Sequence, residues 1–230
     1  MQDIAKLIAG FRRFQGNYFR GDNELFTHLK DGQHPKTLVI GCSDSRVDPS
    51  LLTGADPGDL FVIRNVANLV PPYEPDAGYH GVSAALEYAV CQLQVEHIII
   101  LGHSQCGGIA GLMNSDCDCQ VGEFIGKWVR LAEPAKKKVR EELLDKSDLL
   151  QTRACEQAAI MLSLENLLTF PWLLQRVEDH SLFLHGWYFD IQRGELLRYS
   201  PDAEAYVPLA PANNHKIHSS HMPLKLKGTV

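Results

Sequence analysis

Short runs of consecutive apolar residues recur through the first half of this chain. The clearest cover residues 37–40, 60–63 and 97–101, and each is only four or five residues long. Strands that are buried on both faces have this continuous apolar composition, whereas half-buried strands alternate. We therefore predict that these three runs are parallel strands of one sheet.

Apolar positions repeat at helical spacing in the segments between and after these runs. Helices are predicted at residues 2–19, 24–30, 49–53, 78–94, 107–113, 121–132, 134–144 and 149–179. Pro171 interrupts the last of these segments, because proline lacks the backbone N–H that a helix interior needs. Strands that alternate with helices predict right-handed crossovers between parallel strands.

The C-terminal part of the chain has a different pattern. Residues 181–190 form an aromatic-rich strand, and the Arg193-Gly194 turn leads into a second strand at 196–199. The predicted fold class is α/β, with a mostly parallel β-sheet flanked by helices, an antiparallel edge hairpin and an N-terminal helical arm. We predict one domain over residues 1–210, with the arm at 1–34, and a flexible polar tail at 211–230.

Composition excludes several classes of protein. The net charge of −6 argues against nucleic acid or an anionic membrane surface as the main partner. No run of 18 apolar residues is present, so no transmembrane helix is predicted. Six cysteines in 230 residues are too few for a disulfide scaffold. Together with the metal assignment below, this predicts reduced thiols and a cytoplasmic location.

Metal-binding residue types follow two of the predicted strands directly. Cys42 follows the first strand and a glycine, and His103 and Cys106 follow the third strand and a glycine. Ligands in open α/β sheets bind beyond the carboxyl ends of the strands, so we expect these three side chains to meet. Two thiolates and an imidazole suit Zn²⁺, and a three-residue set leaves one position for water, as in catalytic zinc sites.

Asp44 and Arg46 leave two arrangements open. Asp44 lies two residues from Cys42 and could take the fourth position on the metal. Arg46 could instead hold Asp44 away from the metal through a charge-assisted pair. Gly107 and Gly108 lie at the start of a predicted helix, where free backbone N–H groups favour an anion.

The same residues carry a family resemblance. C-S-D-S-R at 42–46 with H-S-Q-C-G-G at 103–108 resembles the paired motifs of the β-class carbonic anhydrases. The resemblance continues through residues 56–68, 81–90 and 184–190 and covers roughly residues 3–209. It implies a cytosolic enzyme that interconverts carbon dioxide and bicarbonate through a zinc-bound hydroxide, with one zinc ion per chain.

The resemblance also implies roles for individual residues. Cys42, His103 and Cys106 would bind zinc, Asp44 would accept a hydrogen bond from the zinc-bound water, and Arg46 would orient Asp44. Gln33 and the backbone of Gly107 and Gly108 would position substrate oxygens. Phe61, Val66 and Tyr88 would form the apolar wall of the carbon dioxide pocket. Because the family takes Phe61 and Tyr88 from a neighbouring subunit, a homodimer or tetramer is expected, with the helical arm packed on a partner.

One departure from the family pattern is informative. A branch of the family has an inhibitory bicarbonate pocket built from Trp, Arg and Tyr. This chain retains Arg64 but has Val39 and Phe189 at the other two positions. We therefore predict no inhibitory pocket and an open zinc site with Asp44 paired to Arg46 at neutral pH.

Two alternatives remain at this point. The first is a zinc hydrolase of a related heterocumulene, carbon disulfide or carbonyl sulfide, which would use the same ligands. The second is a non-catalytic zinc protein, against which the intact Asp44 and Arg46 argue. Cys117 and Cys119 form a C-x-C pair that no further ligand pair accompanies, so we assign them no metal.

Overall fold

A computed structural model describes residues 2–20, 24–76, 78–115 and 122–209. The chain divides into two units, Met1–His34 and Pro35–Val230. The predicted tail and the Cys117–Cys119 segment lie outside the described residues, so those expectations stay predictions.

The first unit contains the two predicted N-terminal helices, α1 (Gln2–Tyr18) and α2 (Leu25–Leu29). Aromatic rings pack between them, with the Phe19 and Phe26 centroids 4.6 Å apart. The apolar residues Ile4 and Leu7 of α1 are more than half exposed. The apolar stripe of α1 is therefore only partly used within the chain.

The second unit is built on one mixed sheet. Its described strands are β1 (Thr37–Cys42), β2 (Leu60–Asn65), β3 (His97–His103), β4 (Phe183–Asp190), β5 (Glu195–Ser200) and β6 (Ala205–Pro208). They lie in the order β2-β1-β3-β4-β5-β6. The first four are parallel to one another, and β5 and β6 are added antiparallel at one edge. The predicted fold class is confirmed.

Helices connect and flank these strands. They are α3 (Pro49–Thr53), α4 (Gly81–Glu87), α5 (Gly107–Asn114), α6 (Ile125–Val129), α7 (Glu133–Glu142), α8 (Asp148–Leu167) and α9 (Pro171–Glu178). The break predicted at Pro171 is present, and the proline takes the first position of α9, where its missing N–H costs nothing. The helix predicted at 78–94 continues from α4 into a π-helical turn at Tyr88–Gln92.

Alternate residues of the strands point into separate apolar cores. Leu38 and Ile40 of β1 belong to the core beneath α8 and α9, whereas Val39 belongs to a smaller core on the other face of the sheet. A third core surrounds Cys42 and Cys106. The continuous apolar composition of the inner strands follows from this burial on both faces.

Two of the strand predictions ended too early. β1 and β3 continue through Gly41 and Gly102 to Cys42 and His103. Gly102 leaves room for Ile160 beside the strand, since a Cβ on this residue would lie 2.6 Å from Ile160 Cδ1. Consequently two of the predicted metal ligands are the last residues of buried strands.

Two short elements also differ from the sequence predictions. The helix expected at 121–132 is limited to α6 and a 3₁₀ turn at Arg130–Ala132 in the described residues. Strand β6 was not predicted, because four residues ending in Pro208 are too short for a recognisable alternation. Among the described residues, no helix has both the length and the apolar content needed to cross a bilayer.

Candidate metal centre

Cys42 is the last residue of β1 and is almost completely buried. Its Sγ lies 4.0 Å from Cys106 Sγ and accepts a hydrogen bond from the backbone N–H of Ala67 at 3.3 Å. The turn after β2 therefore contacts the sulfur directly. The backbone of Cys42 is fixed as well, because its carbonyl accepts a bond from Arg64 Nε at 3.0 Å.

His103 ends β3 with only one of its ring nitrogens partnered. Nδ1 lies 2.9 Å from the carbonyl oxygen of Ser104, which can only accept, so Nδ1 carries the proton. Nε2 is buried and has no hydrogen-bond partner among the described residues. A buried polar atom without a partner is costly unless a ligand completes it. The lone pair of Nε2 is therefore available for a metal ion.

Cys42, His103 and Cys106 form one three-donor cluster, whose ligand atoms all lie within 4.8 Å of one another. Two sulfurs bound tetrahedrally at about 2.3 Å from zinc lie roughly 3.8 Å apart, close to the separation found here. Two sulfurs and one imidazole nitrogen fit Zn²⁺, and three protein ligands leave one position for water. The three side chains that the sequence brought together are together in the structure.

The two thiols share their protons unequally in the absence of a cation. A hydrogen bond from Cys106 lowers the pKa of Cys42, and the resulting thiolate raises the pKa of Cys106. Burial is the largest influence on the pKa of His103 and lowers it, but the nearby Cys42 thiolate, the Ser104 carbonyl and the Asp44 carboxylate together raise the pKa above its usual value. A bound dication would favour both thiolates and the neutral imidazole, so zinc binding would release protons from this cluster.

Asp44 is held by Arg46 outside the three-donor cluster. Its Oδ1 accepts from the backbone N–H and Nε of Arg46, both at 2.9 Å, and its Oδ2 accepts from Nη2 at 2.7 Å. The side-chain bonds from Arg46 hold the pKa of Asp44 well below its usual range. Of the two arrangements that the sequence left open, this structure has the paired one.

Arg64 organises the loop that carries Asp44. Its Nη2 donates to the carbonyl oxygens of Asp44 at 2.7 Å and Val47 at 3.0 Å, and its Nε binds the carbonyl of Cys42. Its Nη1 lies 3.3 Å from Asp48 Oδ2. The guanidinium is thus committed to backbone oxygens of the loop between β1 and α3.

Glu156 was missed by the sequence analysis. It lies on α8 and is 4% exposed. Its Oε1 accepts the backbone N–H of Cys106 at 2.9 Å, and its Oε2 accepts the hydroxyl of Tyr188 at 2.7 Å. Burial raises its pKa, although both hydrogen bonds act in the opposite direction. A charged residue within an apolar helical stretch was the available indication in the sequence.

The remaining predicted site residues occupy different places. Val66 follows β2 and packs against the core that contains Cys42 and Cys106. Gly107 and Gly108 begin α5, and the N–H of Gly108 is close enough to Cys106 to oppose the rise in its pKa. Gln33 belongs to the first unit. Its contact with substrate stays a prediction.

Phe61 and Tyr88 contact each other, with ring centroids 5.9 Å apart. Phe61 is opposite Leu38, four residues before Cys42 along the sheet. At about 3.3 Å per residue, it lies roughly 13 Å from the carboxyl end of the strands, measured along them. The structure therefore separates this pair from the metal cluster of its own chain.

Comparison with known proteins identifies the family. The family model described as carbonic anhydrase matches residues 37–196. A carbonic anhydrase from Synechocystis is 40% identical over 198 residues, covering 85% of this chain and 71% of that protein. Beta carbonic anhydrase 3 from Arabidopsis thaliana is 38% identical, covering 83% of this chain and 74% of that protein.

The solved structures that resemble this chain are also β-class carbonic anhydrases. The β-carbonic anhydrase CcaA superposes with a TM-score of 0.82 at 36% identity, covering 90% of this chain and 99% of that one. Tetrameric β-carbonic anhydrases from Sordaria macrospora give a TM-score of 0.77 at 30% identity, covering 86% and 97%. With its fold, its three-donor cluster and these relatives, the chain belongs to the β-class carbonic anhydrase family.

Proposed function

We propose that this chain catalyses the reversible hydration of carbon dioxide to bicarbonate and a proton. The observation that carries this proposal is a buried three-donor cluster with an unpartnered His103 Nε2 beside an Asp44 that Arg46 holds away from it. A closed structural zinc site needs four protein ligands, and an open one leaves a position for water. The family relationship makes carbon dioxide the substrate.

Cys42, His103 and Cys106 would hold a zinc ion through two sulfurs and one nitrogen. When bound, zinc acts as a Lewis acid that lowers the pKa of water to about 7, so that the nucleophile is available at neutral pH. The chain fixes the three donors before the metal arrives, since Cys42 and His103 end buried strands. Little rearrangement is then required when zinc binds.

Asp44 orients the attacking water through its one remaining acceptor position. An ionised carboxylate has about four such positions. Three are taken by the N–H, Nε and Nη2 groups of Arg46, two on Oδ1 and one on Oδ2. Oδ2 can therefore accept one hydrogen from water, which directs an oxygen lone pair towards the carbon of carbon dioxide. The proton released on bicarbonate formation passes to buffer.

A homo-oligomer supplies the apolar side of the pocket. Carbon dioxide has no net dipole and favours an apolar wall, which Val66 provides from the same chain. Phe61 and Tyr88 lie away from the metal cluster of their own chain, so we assign them to the site of a second copy. We also propose that the Gln33 side chain and the backbone N–H groups of Gly107 and Gly108 donate hydrogen bonds to substrate oxygens. The exposed apolar residues of α1 and the tetrameric Sordaria relatives support an oligomer.

We also propose that the chain has no inhibitory bicarbonate pocket. Val39 and Phe189 pack in the same apolar core and offer no side-chain hydrogen bonds, and Arg64 is engaged with loop carbonyls. We expect bicarbonate dehydration to follow simple saturation without cooperative inhibition. Sigmoidal dependence of the rate on bicarbonate would contradict this.

We also propose a cytoplasmic location, because metal binding requires reduced thiols and the cytoplasm keeps thiols reduced.

Stopped-flow hydration of carbon dioxide between pH 6.5 and 9, with zinc quantified per chain, tests the proposed function. The expected result is one zinc per chain and a rate that rises with pH. Asp44→Asn should lose most of the hydration activity and keep its zinc. The control Asp76→Asn alters a carboxylate that is paired with His80 and should retain both the activity and the zinc. Full zinc occupancy without hydration would reject the proposal, and turnover of carbonyl sulfide would then identify the related hydrolase.

A further inference from the structure

Glu156 connects the metal cluster to the interior of the protein. Its two carboxylate oxygens are divided between two donors, the backbone N–H of Cys106 and the hydroxyl of Tyr188. A carboxylate is among the most costly groups to bury, and hydrogen bonds to it are stronger than those between neutral groups. This one carboxylate fixes the main chain of a metal ligand 50 residues away in sequence.

Helix α8 gives Glu156 a fixed position. Ile160 lies one helical turn later on the same side, is fully buried and packs where Gly102 has no side chain. Gly102 directly precedes His103, so α8 is packed against the backbone just before one ligand while it binds the backbone of another. Ser163, further along this side, accepts a hydrogen bond from the N–H of Val70 at 3.2 Å.

We propose that Glu156 is a positioning residue for Cys106 and controls how tightly the enzyme retains zinc. By holding the N–H of Cys106, Glu156 fixes the direction of the thiolate at the start of α5. Glu156 is not one of the three clustered donors, so it acts on the metal site through the backbone of Cys106. This inference rests on the proposed zinc enzyme but concerns metal retention, which is measured independently of carbon dioxide hydration.

Tyr188 is the second member of this arrangement. Its hydroxyl is buried, and its ring lies under the guanidinium of Arg153, whose carbon is 5.6 Å from the ring centroid. The Tyr188 hydroxyl holds Oε2 of Glu156, which leaves Oε1 directed at Cys106. Loss of the hydroxyl should therefore loosen Glu156 without removing it.

Substitutions at Glu156 separate hydrogen bonding from charge. Glu156→Gln retains the shape, since its amide oxygen can accept from Cys106 while its amide nitrogen donates to the Tyr188 oxygen. Glu156→Met removes both interactions at similar volume. Alterations around metal ligands typically cost about 10–100-fold in metal affinity, and we expect a loss of this size for the Met variant. The Gln variant should stay close to the parent.

A pair of tyrosine variants provides the matched control. Each of the variants Tyr188→Phe and Tyr206→Phe deletes a phenol hydroxyl that donates to a residue of α8. The Tyr188 hydroxyl donates to the Glu156 carboxylate, whereas the Tyr206 hydroxyl donates to the backbone carbonyl of Gln157 at 3.1 Å. We expect Tyr188→Phe to weaken zinc binding by about tenfold and Tyr206→Phe to leave it unchanged. This pair decides the outcome if Glu156→Met fails to fold.

The experiment measures zinc transfer from the loaded full chain to a chromogenic chelator at pH 7.5, with the visible spectrum of the Co²⁺ form as a second readout. Faster zinc transfer and a changed Co²⁺ spectrum in Glu156→Met and Tyr188→Phe only would support the proposal. Parent-like transfer in both would overturn it, as would equal losses in Tyr188→Phe and Tyr206→Phe. Failure of the proposed function would instead appear as absent hydration in the parent with zinc retention still dependent on Glu156.

Discussion

The guanidinium of Arg46 joins Asp44 to the backbone carbonyl of Gln105. Nη2 donates to Asp44 Oδ2 at 2.7 Å and to the Gln105 carbonyl at 3.0 Å. Asp44 lies in the loop after β1, and Gln105, whose backbone is left-handed at φ +59°, lies in the loop after β3. One side chain therefore links the loops that follow β1 and β3, the two strands that end in Cys42 and His103.

Arg46→Lys should lower kcat/KM by about 10–100-fold, which is the usual loss when a residue that orients groups around a metal is replaced. A lysine ammonium keeps the charge but cannot pair with both carboxylate oxygens and also reach Gln105. Stopped-flow assays at pH 8 measure the effect. Arg176→Lys is the control, because Arg176 also binds carbonyls, those of Val90 and Ser181, elsewhere in the structure. Equal activities of the two variants would contradict the role of Arg46.

Removal of zinc should destabilise the protein substantially. At a zinc concentration about 1,000-fold above Kd, binding adds about 4 kcal/mol to the free energy of unfolding. For a domain of this size each kcal/mol raises Tm by about 2–4 °C, so the loaded protein should melt roughly 8–16 °C higher. Calorimetry with and without a chelator measures the difference. Cys42→Ser should abolish most of this difference; an unchanged difference would argue against zinc binding at this cluster.

Gly102→Ala should destabilise the protein by about 1–3 kcal/mol, since a Cβ there forces overpacking against Ile160. The nearest Ile160 atom lies 2.6 Å from the Cβ position. Gly107→Ala is a matched control, because nothing lies within 4 Å of its Cβ position. Urea unfolding of the zinc-loaded variants compares their stabilities. Similar stability of the two variants would contradict the packing of α8 against β3.

His185 should make part of the stability dependent on pH. Burial, followed by the proximity of His97 at 3.2 Å between ring nitrogens, lowers the pKa of His185 in the folded protein. The contribution of neutral His185 to the free energy of unfolding is complete above the pKa of histidine in the unfolded chain, about 6.5. This contribution is lost as the pH falls from there towards the lower pKa of His185 in the folded protein. His185→Gln should therefore lose less stability than the parent between pH 7.5 and 5.5.

Urea unfolding of zinc-loaded parent and variant at both pH values tests the His185 prediction. Because both proteins have the same metal cluster, the effect of acid on zinc binding cancels in the comparison. His180→Asn, which alters an exposed histidine with a left-handed backbone, should follow the parent. Identical pH dependence in the parent and His185→Gln would contradict the prediction.

The sequence could bring Cys42, His103 and Cys106 together because all three lie at or shortly after the ends of recognisable strands. Buried parallel strands have continuous apolar composition, and their carboxyl ends meet at one edge of the sheet. Cys42 and His103 could therefore be brought together without knowledge of any contact. The strand boundaries were less accurate, since a glycine in a strand is indistinguishable from a glycine in a turn until Ile160 is seen beside Gly102.

Glu156 could not be assigned from the sequence because its role depends on tertiary contacts. A glutamate in a helix is ordinarily exposed, and nothing within α8 specifies that this one faces Cys106 and Tyr188. The position of Phe61 was equally hidden, since the distance between Phe61 and Cys42 depends on the register of β2 against β1. Local pattern identifies elements, whereas register and packing decide which side chains meet.

The turn after β2 has a consequence for the chemistry of the metal. Ala67 and Asn68 are non-glycine residues with φ of 66° and 49°, a conformation that typically costs about 1–3 kcal/mol per residue. Two hydrogen bonds of 2.9 Å between Asn65 and Leu69 close the turn and direct the Ala67 N–H at Cys42 Sγ. A hydrogen bond to a thiolate withdraws electron density from sulfur, so Cys42 would neutralise less of the charge on a bound zinc ion. A backbone segment that contributes no ligand would thereby strengthen the Lewis acid that the proposed hydration requires.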